Sequence, residues 1–193
     1  MEDLLQALIA AVAIAGMLLY FLTNRIHAPS TWFFQDTWLD KYIPLVPYFI
    51  IAYVCLYPYI LITIVLMWDT PLSTQFFTCF SIAAWTAALM WYVAPAGIVR
   101  HRRLGPDFFS QMIVWLYEHD QENNTIPSSH VFYSLICSYF LMLAYPHVQL
   151  LFVVVGILIS ISTVFVKQHH LADILGGIVW AAGSIAIASY LVG

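Results

Sequence analysis

Long apolar segments separated by short polar ones run through the whole chain. A helix needs about 20 apolar residues to cross the hydrocarbon core of a bilayer. By this criterion we predict six membrane spans, over residues 4–22, 43–67, 72–94, 129–144, 148–166 and 171–191. No internal repeat or linker divides residues 1–193. The pattern therefore predicts one all-α domain, an integral membrane six-helix bundle.

Two further segments mix aromatic and polar residues. Residues 27–41 contain several aromatic side chains among polar groups, which is typical of the membrane–water interface. In residues 108–118 one helical face carries apolar side chains, and Ser110, Gln111 and Glu118 lie opposite. We therefore predict a short interfacial amphipathic helix before the fourth span. Its predicted apolar face consists of Phe108, Phe109, Met112, Ile113 and Leu116.

The composition supports a membrane protein and excludes some partners. Of the 193 residues 63% are hydrophobic and 8% are charged, whereas soluble domains are about 25% charged. The lipid bilayer is thus an expected partner. A net charge of -4 with only six Lys and Arg residues predicts no nucleic-acid binding. Three cysteines within apolar segments, without a CxxC spacing, indicate neither a disulfide framework nor a metal site. The oligomeric state stays unknown from the sequence.

Potentially reactive side chains gather in the short segment 167–173, between the last two predicted spans. His169 and Asp173 are spaced i, i+4, so on a helix they share one face. The Asp173 carboxylate can fix the imidazole tautomer and leave the second ring nitrogen free as a nucleophile. His170 is three residues before Asp173, so spacing alone also allows His170 in this role.

A second histidine and an arginine lie at other span ends. His130 follows Pro127-Ser128-Ser129 at the start of the fourth span, and Arg100 follows the third span. Six spans place these junctions and the 167–173 segment on the same side of the membrane. We therefore expect Arg100, His130 and His169 to converge, with both imidazoles facing one cavity. Free N–H groups at the start of the fourth helix also favour an anion.

These motifs resemble those of the type 2 phosphatidic acid phosphatase superfamily of membrane lipid phosphatases and phosphotransferases. Residues 127–130 match its Pro-Ser-Gly-His motif with Ser129 replacing glycine. Residues 162–173 match its Ser-Arg-x5-His-x3-Asp motif with Thr163 replacing arginine. Arg100 corresponds to the arginine of the first motif, where His101 replaces proline and Val93 replaces lysine. The Lys-Gln-His run at 167–169 resembles the inositol phosphorylceramide synthase branch.

The resemblance implies a role for each matched residue. His169 is the expected nucleophile that forms a phosphohistidine, with Asp173 on its other nitrogen. His130 is expected to protonate the departing alkoxide and then to take a proton from water. No metal and no other cofactor is expected. The expected substrate-binding residues are Arg100, Ser128, Ser129, Lys167 and Thr163.

Lys167 is a candidate to compensate for one departure from these motifs. It lies four residues after Thr163, so its ammonium can supply the positive charge of the missing arginine. A lysine that extends from a helix end to the interface is the alternative interpretation.

The predicted function is metal-independent hydrolysis of a lipid phosphate monoester or diphosphate, with a phospholipid or isoprenoid-lipid phosphate as substrate. One alternative is a lipid phosphotransferase that passes a phosphoryl headgroup to an alcohol. A second is a non-enzymatic transporter or divalent-cation binder, because ionisable residues in membrane segments also mark ion paths. Such a transporter or cation binder would use His130, His169, His170 and Asp173 as ligands.

The sequence gives two opposite predictions for the membrane orientation. In the six-span topology all Lys and Arg residues lie on the side of the motifs, and the positive-inside rule places that side in the cytoplasm. The resemblance implies an extracytoplasmic or luminal active site. Both orientations stay open. The six basic residues are Arg25, Lys41, Arg100, Arg102, Arg103 and Lys167.

Overall fold

The computed structural model describes residues 2–26, 37–100 and 104–193, and within these ranges it is helical without β-strands. The all-α prediction is therefore confirmed. Most of the predicted interfacial segment 27–41, together with Arg102 and Arg103, lies outside the described residues. The helices are α1 (Glu2–Ile26), α2 (Ile50–Val54), α3 (Leu56–Met67), α4 (Ser73–Val93), α5 (Phe108–His119), α6 (Ser129–Ala144), α7 (Gln149–Phe165) and α8 (Leu171–Val192).

Five helical segments of the described chain are long and apolar enough to cross a membrane, which supports a multi-pass membrane protein. They are Leu4–Ile26, Pro47–Met67, Ser73–Val93, Pro146–Phe165 and Leu171–Val192. Helix α6 has the bounds predicted for the fourth span, but its 16 residues extend only about 24 Å. The hydrocarbon core is about 30 Å thick. Six crossing helices therefore stay a prediction.

The second predicted span is interrupted near its middle. Helix α2 ends at Val54 and α3 begins at Leu56, so Cys55 separates them. Pro58 explains the break, because proline lacks an N–H and its ring collides with the carbonyl of the residue four positions earlier. That residue is Val54. The break turns α2 toward α5 and α7, while α3 continues against α6.

Helix α6 lies at the centre of the bundle. It packs against α3, α4, α7 and α8, and α1 covers the outer side of α4. The core between α4 and α6 is largely aromatic and contains Phe76, Phe80, Phe132 and Phe140. Most α6 side chains are consequently buried in protein. Its first turn, which carries His130, lies beside α7 and α8, whose connecting turn carries His169.

The predicted amphipathic segment is a helix, and its side chains are divided between the protein interior and the surface. Ile113 and Ser110 of α5 are buried, whereas Phe108 is 70% exposed. Ser110 can point inward because its hydroxyl donates to the Asp107 carboxylate at 2.6 Å, which satisfies the polar group. Helix α5 packs on α2 in a small cluster with Ile50 and Tyr53. Its location at the membrane interface stays a prediction.

Candidate active site

The turn between α7 and α8 positions His169 through backbone hydrogen bonds. Lys167 has a left-handed backbone with φ of 56°. The amide of Lys167 donates to the Val164 carbonyl, and the amides of Gln168 and His169 both donate to the Thr163 carbonyl. This is the Schellman arrangement that ends many helices. It satisfies the last carbonyls of α7 and presents His169 one residue before the N-cap of α8.

Asp173 binds this turn from the first turn of α8. Its fully buried carboxylate lies 3.3 Å from His169 Nδ1 through Oδ2. The same Oδ2 accepts a hydrogen bond from the His170 backbone amide at 2.9 Å. The sequence spacing allowed either imidazole to pair with Asp173. In the structure the carboxylate contacts the ring of His169 and only the backbone of His170.

His130 lies on the second residue of α6, with its ring centroid 6.5 Å from that of His169. The predicted convergence of these two residues is therefore confirmed. The expectation of one shared cavity is not met. His169 borders a cavity of about 760 Å³, whereas His130 borders a separate apolar groove of about 300 Å³. The rings lie at the boundary between the two spaces because α6 starts beside the α7–α8 turn.

Arg100 also reaches this region, but its guanidinium is held by protein acceptors. Nη2 lies 3.0 Å from Asp120 Oδ2 and also donates to Gln168 Oε1 at 2.8 Å. Nη1 donates to the carbonyls of Tyr117 and Asp120. Nε has no hydrogen-bond partner among the described residues. Arg100 borders the larger cavity, but its Nε is buried, so the guanidinium brings mainly a nearby positive charge to it.

Burial raises the pKa of Asp120, while the Arg100 charge and a hydrogen bond from the Tyr20 hydroxyl oppose that rise. Asp120 lies in the loop after α5, outside the candidate spans. The ion pair therefore balances a cation and a carboxylate that would each be costly to bury alone. Through Gln168 this balanced pair is joined directly to the turn that carries His169.

Lys167 borders the larger cavity, where its side chain contacts the 37–45 segment. Its Nζ donates to the backbone carbonyls of Asp40 and Ile43, which leaves one of the three ammonium protons unassigned. Burial lowers the pKa of Lys167, partly offset by the nearby Asp40 charge. The Asp40 carboxylate in turn accepts from the Leu171 amide at the start of α8. Burial would raise the pKa of Asp40, but hydrogen bonds from Thr37 and Leu171 lower it.

The remaining predicted binding residues have less direct access to the larger cavity. The Thr163 hydroxyl donates to the Ser160 carbonyl inside α7. Ser128 occupies the N-cap position of α6, but its buried hydroxyl has no hydrogen-bond partner in the described chain. Ser129 borders the apolar groove together with His130. None of these three hydroxyls lines the larger cavity, so their binding roles stay predictions.

Three residues of the site were not identified from the sequence. Asp120 is 20 positions from Arg100, and nothing in the spacing indicates their ion pair. Gln168 was noted only as part of a motif, yet it bridges to Arg100. Tyr53 stacks on the His130 ring with centroids 3.8 Å apart. The polar character of residues 119–125 was the one available signal for Asp120, while Tyr53 lies within an ordinary apolar segment.

A family model described as the PAP2 superfamily matches residues 78–193, more than half of the chain. The chain belongs to the PAP2 superfamily. PAP2 proteins are phosphatases or related phosphotransferases, which supports an enzyme that acts on phosphate esters. The matched part contains Arg100, His130, His169 and Asp173, whereas α1–α3 precede it. No curated protein and no solved structure matches the chain.

Within the described ranges of this PAP2 protein no cluster of three or more His, Cys, Asp or Glu residues is arranged to hold a metal ion.

Proposed function

We propose that this protein is a membrane-embedded, metal-independent lipid phosphatase that hydrolyses a lipid phosphate monoester or diphosphate through a phosphohistidine. The observation that carries the proposal is the His169–Asp173 pair at 3.3 Å, with the His130 ring 6.5 Å from that of His169. Two hydrogen bonds of about 2.9 Å to neighbouring oxygens of one phosphate can bridge such a gap. Family membership supports the reaction class.

The first step transfers the phosphoryl group to His169. The Asp173 carboxylate accepts a hydrogen bond from Nδ1–H of His169, so the lone pair of the neutral ring is on Nε2. Nε2 attacks phosphorus, and an N–P bond forms as the bond from phosphorus to the lipid oxygen breaks. His130 donates a proton to that oxygen, so the lipid leaves as an alcohol, or as a monophosphate if the substrate is a diphosphate. Positive charge that develops on His169 is stabilised by the Asp173 carboxylate.

The second step returns His169 to its resting state. His130, now neutral, takes a proton from water as that water attacks phosphorus. The P–N bond breaks, inorganic phosphate is formed, and His130 is again protonated for the next cycle. A group that donates and then accepts a proton works best when its pKa lies near the operating pH, which suits an imidazole.

Charge stabilisation is assigned to groups around the larger cavity. Lys167 offers its remaining ammonium proton, and Arg100 offers a nearby positive charge. The first amides of α6 lack helical partners and favour an anion beside His130. Preorganised donors of this kind contribute strongly to phosphoryl transfer without a metal. In this proposal Ser128 and Thr163 support the site from behind, and Ser129 borders the apolar groove.

The groove beside His130 supports a lipid as the leaving group. It runs between α1, α3 and α6 and is lined mainly by apolar residues such as Leu18, Phe21, Leu61 and Ile64. His130 lies at this groove, while His169 lies at the more polar cavity. A substrate that crosses the boundary would place phosphate near His169 and hydrocarbon along the groove. The oxygen that must be protonated would then lie next to His130.

The experiment uses the purified full-length protein in vesicles with a panel of phospholipid and isoprenoid-lipid phosphates, in the presence of a metal chelator. We expect free phosphate from wild type and from His170→Ala, and none above background from His169→Ala. An alcohol acceptor is added in a parallel arm, where transferred product instead of phosphate would assign a phosphotransferase. Full activity of His169→Ala in a folded protein, or activity lost with the chelator, would refute the mechanism.

A second comparison tests the role of His130. An aryl phosphate has a leaving group that needs little protonation, whereas an alkyl phosphate needs it. We expect His130→Ala to retain a rapid stoichiometric burst of aryl alcohol while turnover stalls, because water activation also requires His130. Equal loss of the burst with both substrates would contradict proton donation by His130.

A further inference from the structure

The His130 ring is held differently from the His169 ring. His169 has a carboxylate partner, whereas His130 Nε2 is buried without a hydrogen-bond partner among the described residues. The nearest aromatic ring to His130 among the described residues is that of Tyr53, with ring centroids 3.8 Å apart and planes 19° apart. Tyr57 meets the same imidazole edge-on at 6.2 Å. His130 is therefore positioned by aromatic rings.

Tyr53 is itself rigidly placed. It is 3% exposed and lies on α2, in a cluster with Ile50, Ile113 of α5 and Val166 at the end of α7. The cluster thus joins the ring beneath His130 to the turn that carries His169. Helix α2 lies outside the part of the chain matched by the family model. Neither the motifs nor the match assigns a role to this residue.

We propose that Tyr53 is a positioning residue that fixes the orientation of His130 and stabilises its protonated form. This inference rests on the proposed function, in which His130 must carry a proton before the lipid oxygen leaves. The face of an aromatic ring attracts a cation within about 6 Å of its centroid. Stacking also restricts rotation of the imidazole, so its proton is directed toward one place.

Other ionisable groups surround His130 and stay unchanged in the experiment. Tyr57 of α3 and Tyr20 of α1 border the same groove, as does Tyr133 of α6 itself. His169 faces it from the α7–α8 turn, with Asp173 of α8 behind that ring. The Arg100–Asp120 pair is joined to that turn through Gln168. A change confined to position 53 therefore tests the stacked ring against a constant electrostatic background.

The test compares Tyr53→Leu, which removes the ring, with Tyr53→Phe, which keeps it. Activity that needs protonated His130 falls as the pH rises through the pKa of His130. Removal of the aromatic ring removes an attraction for the protonated form and so lowers that pKa. The alkaline limb of the kcat/KM profile therefore moves to lower pH. We expect a shift of about 0.4 to 1.5 pH units for Tyr53→Leu. For Tyr53→Phe we expect the wild-type profile. The rate deficit of Tyr53→Leu should be large for an alkyl phosphate and small for the burst with an aryl phosphate.

A fluorinated phenylalanine at position 53 keeps the shape of the ring and weakens the negative potential of its face. It covers the case in which Tyr53→Leu does not fold, and it should move the alkaline limb in the same direction. If the alkaline limb stays at the wild-type pH and the rates with the alkyl and aryl phosphates fall equally, Tyr53 acts only in packing. This result would overturn the inference. Loss in Tyr53→Phe equal to that in Tyr53→Leu would also overturn it. Neither result would affect the proposed function, which is tested separately by His169→Ala.

Discussion

Gly177 controls how closely α8 approaches the start of α6, and this contact offers a sharp test of the site geometry. A Cβ at position 177 would lie 2.6 Å from Val131 Cβ and 3.0 Å from the Ser128 carbonyl oxygen. Ordinary contact begins at 3.4 Å, so the two helices must separate by about 0.8 Å (3.4 minus 2.6). Val131 and Ser128 flank His130 closely in sequence. Gly177→Ala therefore moves α8, with Asp173, away from His130.

Two opposing terms determine the stability of Gly177→Ala. Alanine favours a helix over glycine by about 1 kcal/mol. Overpacking a close helix contact costs about 1–3 kcal/mol. The net loss is thus about 0–2 kcal/mol, small enough for the protein to fold. Catalysis is more sensitive, because a displacement of about 1 Å can lower a rate about 100-fold. We expect a folded protein with kcat reduced roughly 10- to 100-fold.

The assay measures lipid-phosphate hydrolysis and thermal unfolding of the same vesicle preparation. Gly183→Ala is the matched control, since it lies on the same helix and its Cβ would meet no atom within 4 Å. We expect Gly183→Ala to keep wild-type activity and to be equally or more stable. Wild-type activity in Gly177→Ala would refute the reasoning that close α6–α8 contact sets the distance between the catalytic groups.

Two further substitutions test individual charges. Asp173→Asn keeps the shape of the side chain but removes its charge. A hydrogen bond to a charged group contributes about 1.5–3 kcal/mol. We therefore expect kcat to fall about 10- to 150-fold with KM nearly unchanged. A kcat within twofold of wild type would show that His169 does not depend on this carboxylate. Because burial lowers the pKa of Lys167, the ammonium that attracts phosphate is lost at a lower pH than for an ordinary lysine. KM should therefore rise at alkaline pH in wild type and stay flat in Lys167→Arg, and identical profiles would make Lys167 a purely structural residue.

Hydropathy and spacing were sufficient to predict the helices and the meeting of the two histidines. Apolar segments define helices almost by themselves in a membrane, because every backbone polar group must be paired within the segment. Once the helix order is known, the junctions at His130 and His169 are constrained to lie near each other. The predicted bounds 129–144 are those of α6. Its short length is tolerated because most of its side chains are buried in protein.

The partners of the charged side chains could not be predicted in the same way. Arg100 was expected to bind phosphate, but Asp120 and several carbonyls engage its guanidinium. Such pairing depends on how a loop folds back, and sequence spacing carries no information about it. The contact of Tyr53 with His130 bridges 77 positions and follows from the break between α2 and α3. The burial of Ser110 on α5 also depends on a local contact, the hydrogen bond from its hydroxyl to Asp107.

Direct detection of the covalent intermediate tests the central claim most sharply. Wild-type protein is mixed with a labelled lipid phosphate, quenched within one turnover under alkaline conditions that preserve an N–P bond, and digested for mass spectrometry. We predict a phosphoryl group on His169, present also in His170→Ala and absent in His169→Ala. A label on His170, or turnover of wild type with no phosphorylated histidine at any time, would contradict the account.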